Sequence, residues 1–265
     1  FRSRVSYVGG TGNDLTLTVL NFAPVLDATP SPALPGIAED VADADNTGAA
    51  VSSLVTGAIT DQDGTAISAI AVTAVDNTNG TWQYSTDNGT TWNAFGTVTA
   101  ATARLLDGTL TGNDTQKIRF VPTLNYNGSA TITFRAWDKS AGTAGSTADT
   151  SSSNGGNSAY STVTDTASIT ISAVNDAPVL TTPTAISLTD TSAADTFTNQ
   201  TGTLAASDVE GTALTYGITG GTTGGTVGAT TYDVSKTGSF GTLYLLSTTG
   251  AYVYVPNAGA INALT

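Results

Sequence analysis

Two stretches of this 265-residue chain read as copies of each other, and a chain that repeats itself at long period folds as a row of similar units. Leu15-Thr16-Leu17-Thr18-Val19-Leu20-Asn21-Phe22-Ala23-Pro24-Val25-Leu26 matches Ile169-Thr170-Ile171-Ser172-Ala173-Val174-Asn175-Asp176-Ala177-Pro178-Val179-Leu180, and Ala23 and Ala177 set the offset at 154 residues. In each copy Leu or Ile alternates with Thr or Ser, which is the period of a half-buried strand. The Asn-x-Ala-Pro that follows stops the pairing, because proline has no N–H to give. Each copy therefore closes one module and opens the next. On this reading residues 1–22 are the terminal strand of a preceding module or of a neighbouring subunit, 23–176 form one module, and 177–265 form a second that lacks its last strand.

Between the linkers the pattern is strand after strand broken by turn clusters, as in a sandwich and unlike alternating strands and helices. Strands are expected at 70–75, 81–85, 117–121 and 131–137, with Ile132, Phe134 and Ala136 facing inward. Asp87-Asn88-Gly89 is a tight hairpin turn that supplies positive φ. Residues 142–158, rich in Gly, Ser, Thr and Asn, have no period and read as a long surface loop. In the second module strands are expected near Thr203 and at 214–218, 242–245 and 251–255. The fold class is all-β, as tandem Ig-like or cadherin-like antiparallel sandwiches.

Composition narrows the chemistry. Cysteine, methionine and histidine are absent, which removes disulfides, thiolate and imidazole metal ligands, and every Cys- or His-based nucleophile system. The net charge is -13, with eight Lys and Arg scattered from Arg2 to Lys236; phosphate recognition needs such residues clustered, so nucleic acid is not a partner. No apolar stretch approaches the roughly 18 residues of a membrane span. Isolated carboxylates at loop positions suit calcium, which takes hard oxygen ligands, and they also serve plain solubility. The chain begins with Phe1 in place of Met and reads as an interior excerpt.

The first module, with Ile37-Ala38-Glu39-Asp40, Asp61-Gln62-Asp63-Gly64, Pro122-Thr123-Leu124-Asn125-Tyr126-Asn127-Gly128, Ala136-Trp137-Asp138 and Asn175-Asp176-Ala177-Pro178, resembles the bacterial cadherin-like domains of giant extracellular adhesins. The second, with Leu188-Thr189-Asp190, Thr203-Leu204-Ala205-Ala206-Ser207-Asp208-Val209-Glu210-Gly211, Leu214-Thr215-Tyr216 and Tyr252-Val253-Tyr254-Val255-Pro256-Asn257-Ala258-Gly259, is similar to the VCBS repeats of the same kind of surface protein.

The resemblance implies a non-enzymatic, calcium-binding segment of a secreted cell-surface or matrix protein that serves adhesion or forms a fibre. It also implies ligands for Ca2+. An upper junction would join Asp61, Asp63 and Asp138 to Asn21, weakened because Phe22 stands where an Asp is expected. A lower junction would join Glu39 to Asn175, Asp176, Asp208 and Glu210, with Asp190 as an extra ligand. Ordinary Asp-x-x-Gly turn chemistry is the competing account of several of these acids. The implied partners are neighbouring modules, identical subunits head-to-tail, or a receptor, matrix component or glycan at the cell surface.

Three further constellations compete. Gly9-Gly10-Thr11-Gly12-Asn13-Asp14 has the look of a calcium nonapeptide but occurs once, and a Gly-rich turn explains it. The carboxylate pairs Asp61/Asp63 and Glu39/Asp40 raise glycosidase chemistry with nothing beside them to support it. Trp82, Tyr84, Trp92 and Trp137 are candidates for the sugar platform of a carbohydrate-binding module, and equally for core residues. The phase of the repeats leaves two readings of the open strand at the start: an excerpt of a longer chain, or a filament in which residues 14–20 of one subunit complete the open sandwich of the next.

Overall fold

Alternation of apolar side chains becomes paired strand in both halves of the chain. The computed structural model describes residues 3–7, 15–64 and 67–264, and the motif at residues 9–14 lies outside them. Strands hold 37% of the residues and helices 6%, which makes the protein all-β. The chain divides into two units, Phe1–Val174 and Asn175–Thr265.

The strands of the first unit are β1 (Ser3–Tyr7), β2 (Leu15–Val19), β3 (Val25–Leu26), β4 (Ile37–Ala38), β5 (Ala49–Ala50), β6 (Ile59–Thr60) and β7 (Ala69–Val75), then β8 (Gly80–Ser85), β9 (Asn93–Ala94), β10 (Ala103–Asp107), β11 (Lys117–Pro122), β12 (Gly128–Trp137), β13 (Thr147–Ala148) and β14 (Tyr160–Ser172). A six-stranded sheet runs β13-β10-β7-β12-β14-β4 and a four-stranded sheet runs β5-β11-β8-β9. One hydrophobic cluster takes Ile70, Val72, Ile132, Phe134, Ile169 and Ile171 from the first sheet and Trp82, Ile118 and Phe120 from the second. The period-2 strands make this possible, since every second residue reaches the same side. Among the pairs, Trp82 and Phe120 meet with ring centroids 5.4 Å apart.

The opposite face of the six-stranded sheet is also dry. Ala69, Ala71, Leu105, Trp137 and Tyr160 form a second cluster, and the surface loop 142–158, mostly exposed, lays Ala144 and Ala148 against it. Trp137 Nε1 donates to the Ala141 carbonyl at 2.7 Å, the Gly145 N–H donates to the Leu105 carbonyl at 2.8 Å, and β13 pairs with β10. Gly142, at φ +89°, lies so close that a Cβ there would stand 2.4 Å from Leu105 Cδ1. The stretch has no period because its contacts come singly, from turns.

One buried cation organises the far edge. Arg119 Nε donates to Gln83 Oε1 at 2.7 Å and Nη1 donates to the carbonyls of Asp43 and Asn46 at 3.0 and 3.1 Å. Its guanidinium lies 4.4 Å from the Trp92 ring centroid. The planar fork thus ties β11 to the 43–46 loop while the ring shields it.

In the second unit the strands are β15 (Val179–Leu180), β16 (Gln200–Thr203), β17 (Ala206–Ser207), β18 (Thr222–Thr223), β19 (Thr226–Val227), β20 (Thr230–Thr231), β21 (Val234–Gly238), β22 (Gly241–Leu245) and β23 (Ala251–Pro256). A five-stranded sheet runs β16-β23-β22-β21-β18, beside the small pairs β15-β17 and β19-β20. The strand expected at 214–218 does not form: Tyr216 N–H reaches the Ser247 carbonyl at 2.8 Å, but Gly217 interrupts the run and Gly220, at φ +70°, turns the chain. The opening strand is likewise not an orphan. β2 pairs antiparallel with β1 from Ser3↔Val19 to Tyr7↔Leu15.

Truncating Phe134, fully buried in the shared cluster, is expected to cost the first unit about 3–5 kcal/mol. Leu124→Ala, at an 85% exposed position, is expected to cost less than about 0.5 kcal/mol. Urea unfolding followed by tryptophan fluorescence tests both, because Trp82, Trp92 and Trp137 all belong to the first unit.

Candidate metal centre

Four side chains expected at the upper junction gather at one end of the first unit. Asp61 and Asp63 sit in the turn after β6, Asp138 follows β12, and Asn21 follows β2. The turn is built by local chemistry: the Asp63 N–H donates to Asp61 Oδ1 at 2.6 Å, the Gly64 N–H donates to the Asp61 carbonyl at 3.3 Å, and Gly64 takes φ +86°. Asp138 Oδ1 accepts from the Ser140 N–H at 2.7 Å, with Lys139 at φ +67° between them.

The linker is stitched to this acidic end. Asn21 Nδ2 donates to Asp138 Oδ2 at 2.8 Å and to the Ser158 carbonyl at 3.0 Å, and the Phe22 N–H donates to Asp63 Oδ2 at 2.8 Å. Phe22 contributes its backbone where a carboxylate was expected. The Ala23 N–H continues the contact to the Gly156 carbonyl at 2.9 Å. The Ser158 and Gly156 carbonyls carried no sequence signal, since any residue supplies a backbone oxygen.

Asp61 is the uneasy member. Its Oδ2 is buried without a hydrogen-bond partner among the described residues. Burial pushes its carboxyl above the usual range, the Asp63 N–H works against that rise, and the charges of Asp63 and Asp138 add to it. Tyr160 is raised as well, first by burial and then by Asp138. Among the described residues, however, no three His, Cys, Asp or Glu side chains stand close enough to hold an ion as placed. Mutual repulsion of unneutralised carboxylates opposes that approach.

The residues expected at the lower junction fall into both units. Glu39, in the first, is buried; its Oε1 accepts from the Val174 N–H at 2.7 Å and its Oε2 from Asn127 Nδ2 at 3.4 Å. It therefore fastens the end of the unit's last strand. In the second unit Asn175 Nδ2 donates to the Asp176 carbonyl at 3.0 Å, and the Asp176 N–H donates to Glu210 Oε2 at 3.3 Å. Glu210 Oε1 and both carboxylate oxygens of Asp190 are buried without hydrogen-bond partners among the described residues. Asp208 is different: Thr212 donates to its Oδ1 through Oγ1 at 2.7 Å and N–H at 3.0 Å, and these bonds hold its carboxyl below the usual range. It is a satisfied turn residue.

The aromatic platform is not assembled. Trp82 and Trp137 are fully buried, Tyr84 lies under the Arg104 guanidinium at 4.9 Å, and Trp92 stacks on Arg119. Comparison of the chain with protein-family models, with curated proteins and with solved structures finds no match.

A carboxyl raised in the folded state favours folding while neutral, and that contribution is full below the ordinary Asp value of 3.8 and lost as pH rises through the raised value. In the presence of chelator, Asp61→Asn is therefore expected to move the urea midpoint upward relative to wild type at neutral pH. The gap should close as pH falls through the carboxylate range. A variant that is less stable than wild type at neutral pH in chelator would contradict this account of Asp61.

Proposed function

We propose that this chain is a structural segment of a secreted bacterial surface repeat protein, an adhesin or extracellular fibre, made of a cadherin-like and a VCBS-like β-sandwich module and stiffened by calcium. The observation that carries the reading is the Asp61 carboxylate, half-buried with one oxygen unpartnered beside Asp63 and Asp138, at the place where Asn21 ties down the linker. A buried carboxylate oxygen without a partner is costly, and a divalent cation removes that cost.

The donor set suits the ion. Asp61, Asp63 and Asp138 with the Asn21 amide are hard oxygen donors, and neighbouring carbonyls such as Ser158 can complete a calcium shell of six to eight oxygens. When bound, the ion supplies positive charge that turns repulsion between the loops into a bridge to the linker. In the other unit Asp190 and Glu210 each carry unpartnered carboxylate oxygens of the same chemistry. Glu39 serves instead as a clasp on Val174. The chain so read is not an enzyme: it holds modules in line and gives reach from the surface, with neighbouring modules as its first partners. No helix among the described residues is long and apolar enough to cross a membrane.

Calorimetric melts of the whole chain in calcium, in magnesium and in chelator test this. At calcium tenfold above its Kd the gain is about 1.4 kcal/mol, a rise in Tm of about 3–6 °C for a domain of this size. Asp61→Asn with Asp138→Asn should abolish most of the rise, while Asp208→Asn should keep it. Identical melts in calcium and chelator would overturn the calcium reading.

A further inference from the structure

Two cations share one side of β11 in the first unit. Ile118 and Phe120 turn into the core, so Lys117 and Arg119, at the alternate positions, turn out of it. There they line a cleft of about 380 Å³ together with Trp92, Asn88, Thr90 and Thr47, a volume within the range of small-ligand sites. Both lips of the cleft are held before any ligand arrives. On one side Arg119 Nη1 grips the Asp43 and Asn46 carbonyls, and Asn46 Nδ2 donates to the Phe120 carbonyl at 2.8 Å. On the other, Asp87 Oδ1 accepts from Ser85 Oγ and from the Thr91 N–H, each at 2.8 Å, and the Asn88 N–H donates to the Thr115 carbonyl at 2.9 Å. Glycine keeps the space beside the ring open: a Cβ at Gly48, φ +65°, would stand 2.6 Å from Trp92 Cη2, and one at Gly89, φ +89°, 3.4 Å from Trp92 Cζ2.

The cleft holds positive charge that the described residues leave uncompensated. Lys117 has no carboxylate partner among them. Arg119 spends Nε and Nη1 on Gln83 and the 43–46 loop, while its Nη2 has only Asp43 Oδ1 at 3.7 Å, on a side chain 78% exposed. That distance is too long for a hydrogen bond. A carboxylate from outside fits both donors, since the guanidinium fork and the ammonium each form short charge-assisted bonds to it. Beside them the exposed Asn88, Thr47 and Thr90 offer amide and hydroxyl groups, and Trp92 offers an apolar ring. A peptide main chain finds no place here, because β11 is already paired at Lys117 and Ile118 with β5 on one side and β8 on the other, which leaves no ladder to extend.

We propose that this cleft binds an acidic saccharide, with the sugar carboxylate on Lys117 and Arg119 Nη2, the hydroxyls on Asn88, Thr47 and Thr90, and the sugar ring against Trp92. Recognition rests on charge beside one ring, which needs no row of aromatics. The net charge of -13 opposes it only weakly, because exposed charges farther than about 8 Å are largely screened at physiological salt. The site gives the segment a lateral contact with acidic polysaccharide, and none of its residues belongs to the candidate ion ligands.

The test is titration of the whole chain with oligomers of galacturonate, of glucuronate and of mannuronate, followed by calorimetry and tryptophan fluorescence. It is run in chelator, because uronates are themselves oxygen ligands for calcium. Trp82 and Trp137 are fully buried, so a change in fluorescence reports Trp92. At least one uronate oligomer is expected to bind, and its methyl ester to bind at least about tenfold more weakly, the loss that follows when a charge-assisted bond is removed. Lys117→Gln is expected to erase most of the difference between acid and ester. If that variant does not fold, Asn88→Gly decides: it suits the φ of +59° at that position and should weaken acid and ester alike. Lys236→Ala, in the second unit, should bind as wild type does. Absence of binding by all three uronates overturns the site, and hexaglutamate binding as tightly as the best uronate overturns the saccharide. Uronate binding without a calcium shift of Tm removes only the calcium reading, and a calcium shift without uronate binding removes only the cleft.

Discussion

The first unit hangs on the two-sided pairing of β14. This strand runs 13 residues, about 40 Å at extended rise. It pairs antiparallel with β12 from Gly128↔Ile171 to Trp137↔Tyr160 and parallel with β4 at its far end. At one end Tyr160 enters the cluster under residues 142–158, and the Asp138 N–H donates to the neighbouring Ala159 carbonyl at 3.0 Å. At the other, Ser172 leads to Val174, whose N–H is clasped by Glu39. A single strand thus fixes the acidic end near Asn21 and the linker end near Val174. Because β14 contributes Ala167, Ile169 and Ile171 to the core, a slip of one residue would turn those side chains to water.

Whether the acidic end is turn chemistry or an ion site can be weighed from the other aspartates. Asp27, Asp76, Asp87, Asp149, Asp208 and Asp233 each accept hydrogen bonds from a nearby Ser or Thr, and each is held below the usual carboxylate range. Asp87 reaches about 2, held first by Thr91 and then by Ser85. That is what an aspartate does when it exists to shape a loop. Asp61 shapes its loop too, through Oδ1, yet its other oxygen is buried without a partner and its carboxyl is raised. Loop geometry accounts for one oxygen and leaves the other without a hydrogen-bond partner among the described residues.

Strands β12 and β14 were readable because each buries alternate residues over most of its length, so period-2 alternation survives in the sequence, whereas β7 is buried on both faces from Ala69 to Thr73. The contacts of residues 142–158 with the second cluster were unreadable, since single backbone bonds to Leu105 and Trp137 leave no pattern. Residues 214–218 alternate correctly but carry no matching row of partners, and a strand exists only where a neighbour accepts its hydrogen bonds. At the candidate site Asn21, Asp61, Asp63 and Asp138 were named through the family resemblance, since isolated Asp-x-Asp and Asp-x-x-Gly turns alone read equally as loop chemistry. The role of Phe22 was not legible, because its side chain suggested a lost ligand while its N–H holds Asp63. Glu39 was named through the resemblance as a ligand at the lower junction, but its carboxylate accepts from the Val174 N–H, a group that every residue but proline carries.

The second unit then raises a question of magnitude. Ninety-odd residues usually bury about 60% or more of the surface of the unfolded chain, and stability is only about 5–15 kcal/mol, left over when burial and chain entropy nearly cancel. Here Leu245, Val253 and Ile261 are the buried apolar side chains among the described residues, and the five-stranded sheet leaves Leu243, Tyr252 and Tyr254 half-buried. Full burial of one Leu or Val side chain is worth about 1.5–3 kcal/mol. Burying three more of them would contribute a sum of the same order as the whole stability of such a domain, as an upper bound. The acids point the same way: Asp190 and Glu210 are half-buried with unpartnered oxygens, so the unit is short of positive charge as well as of apolar cover.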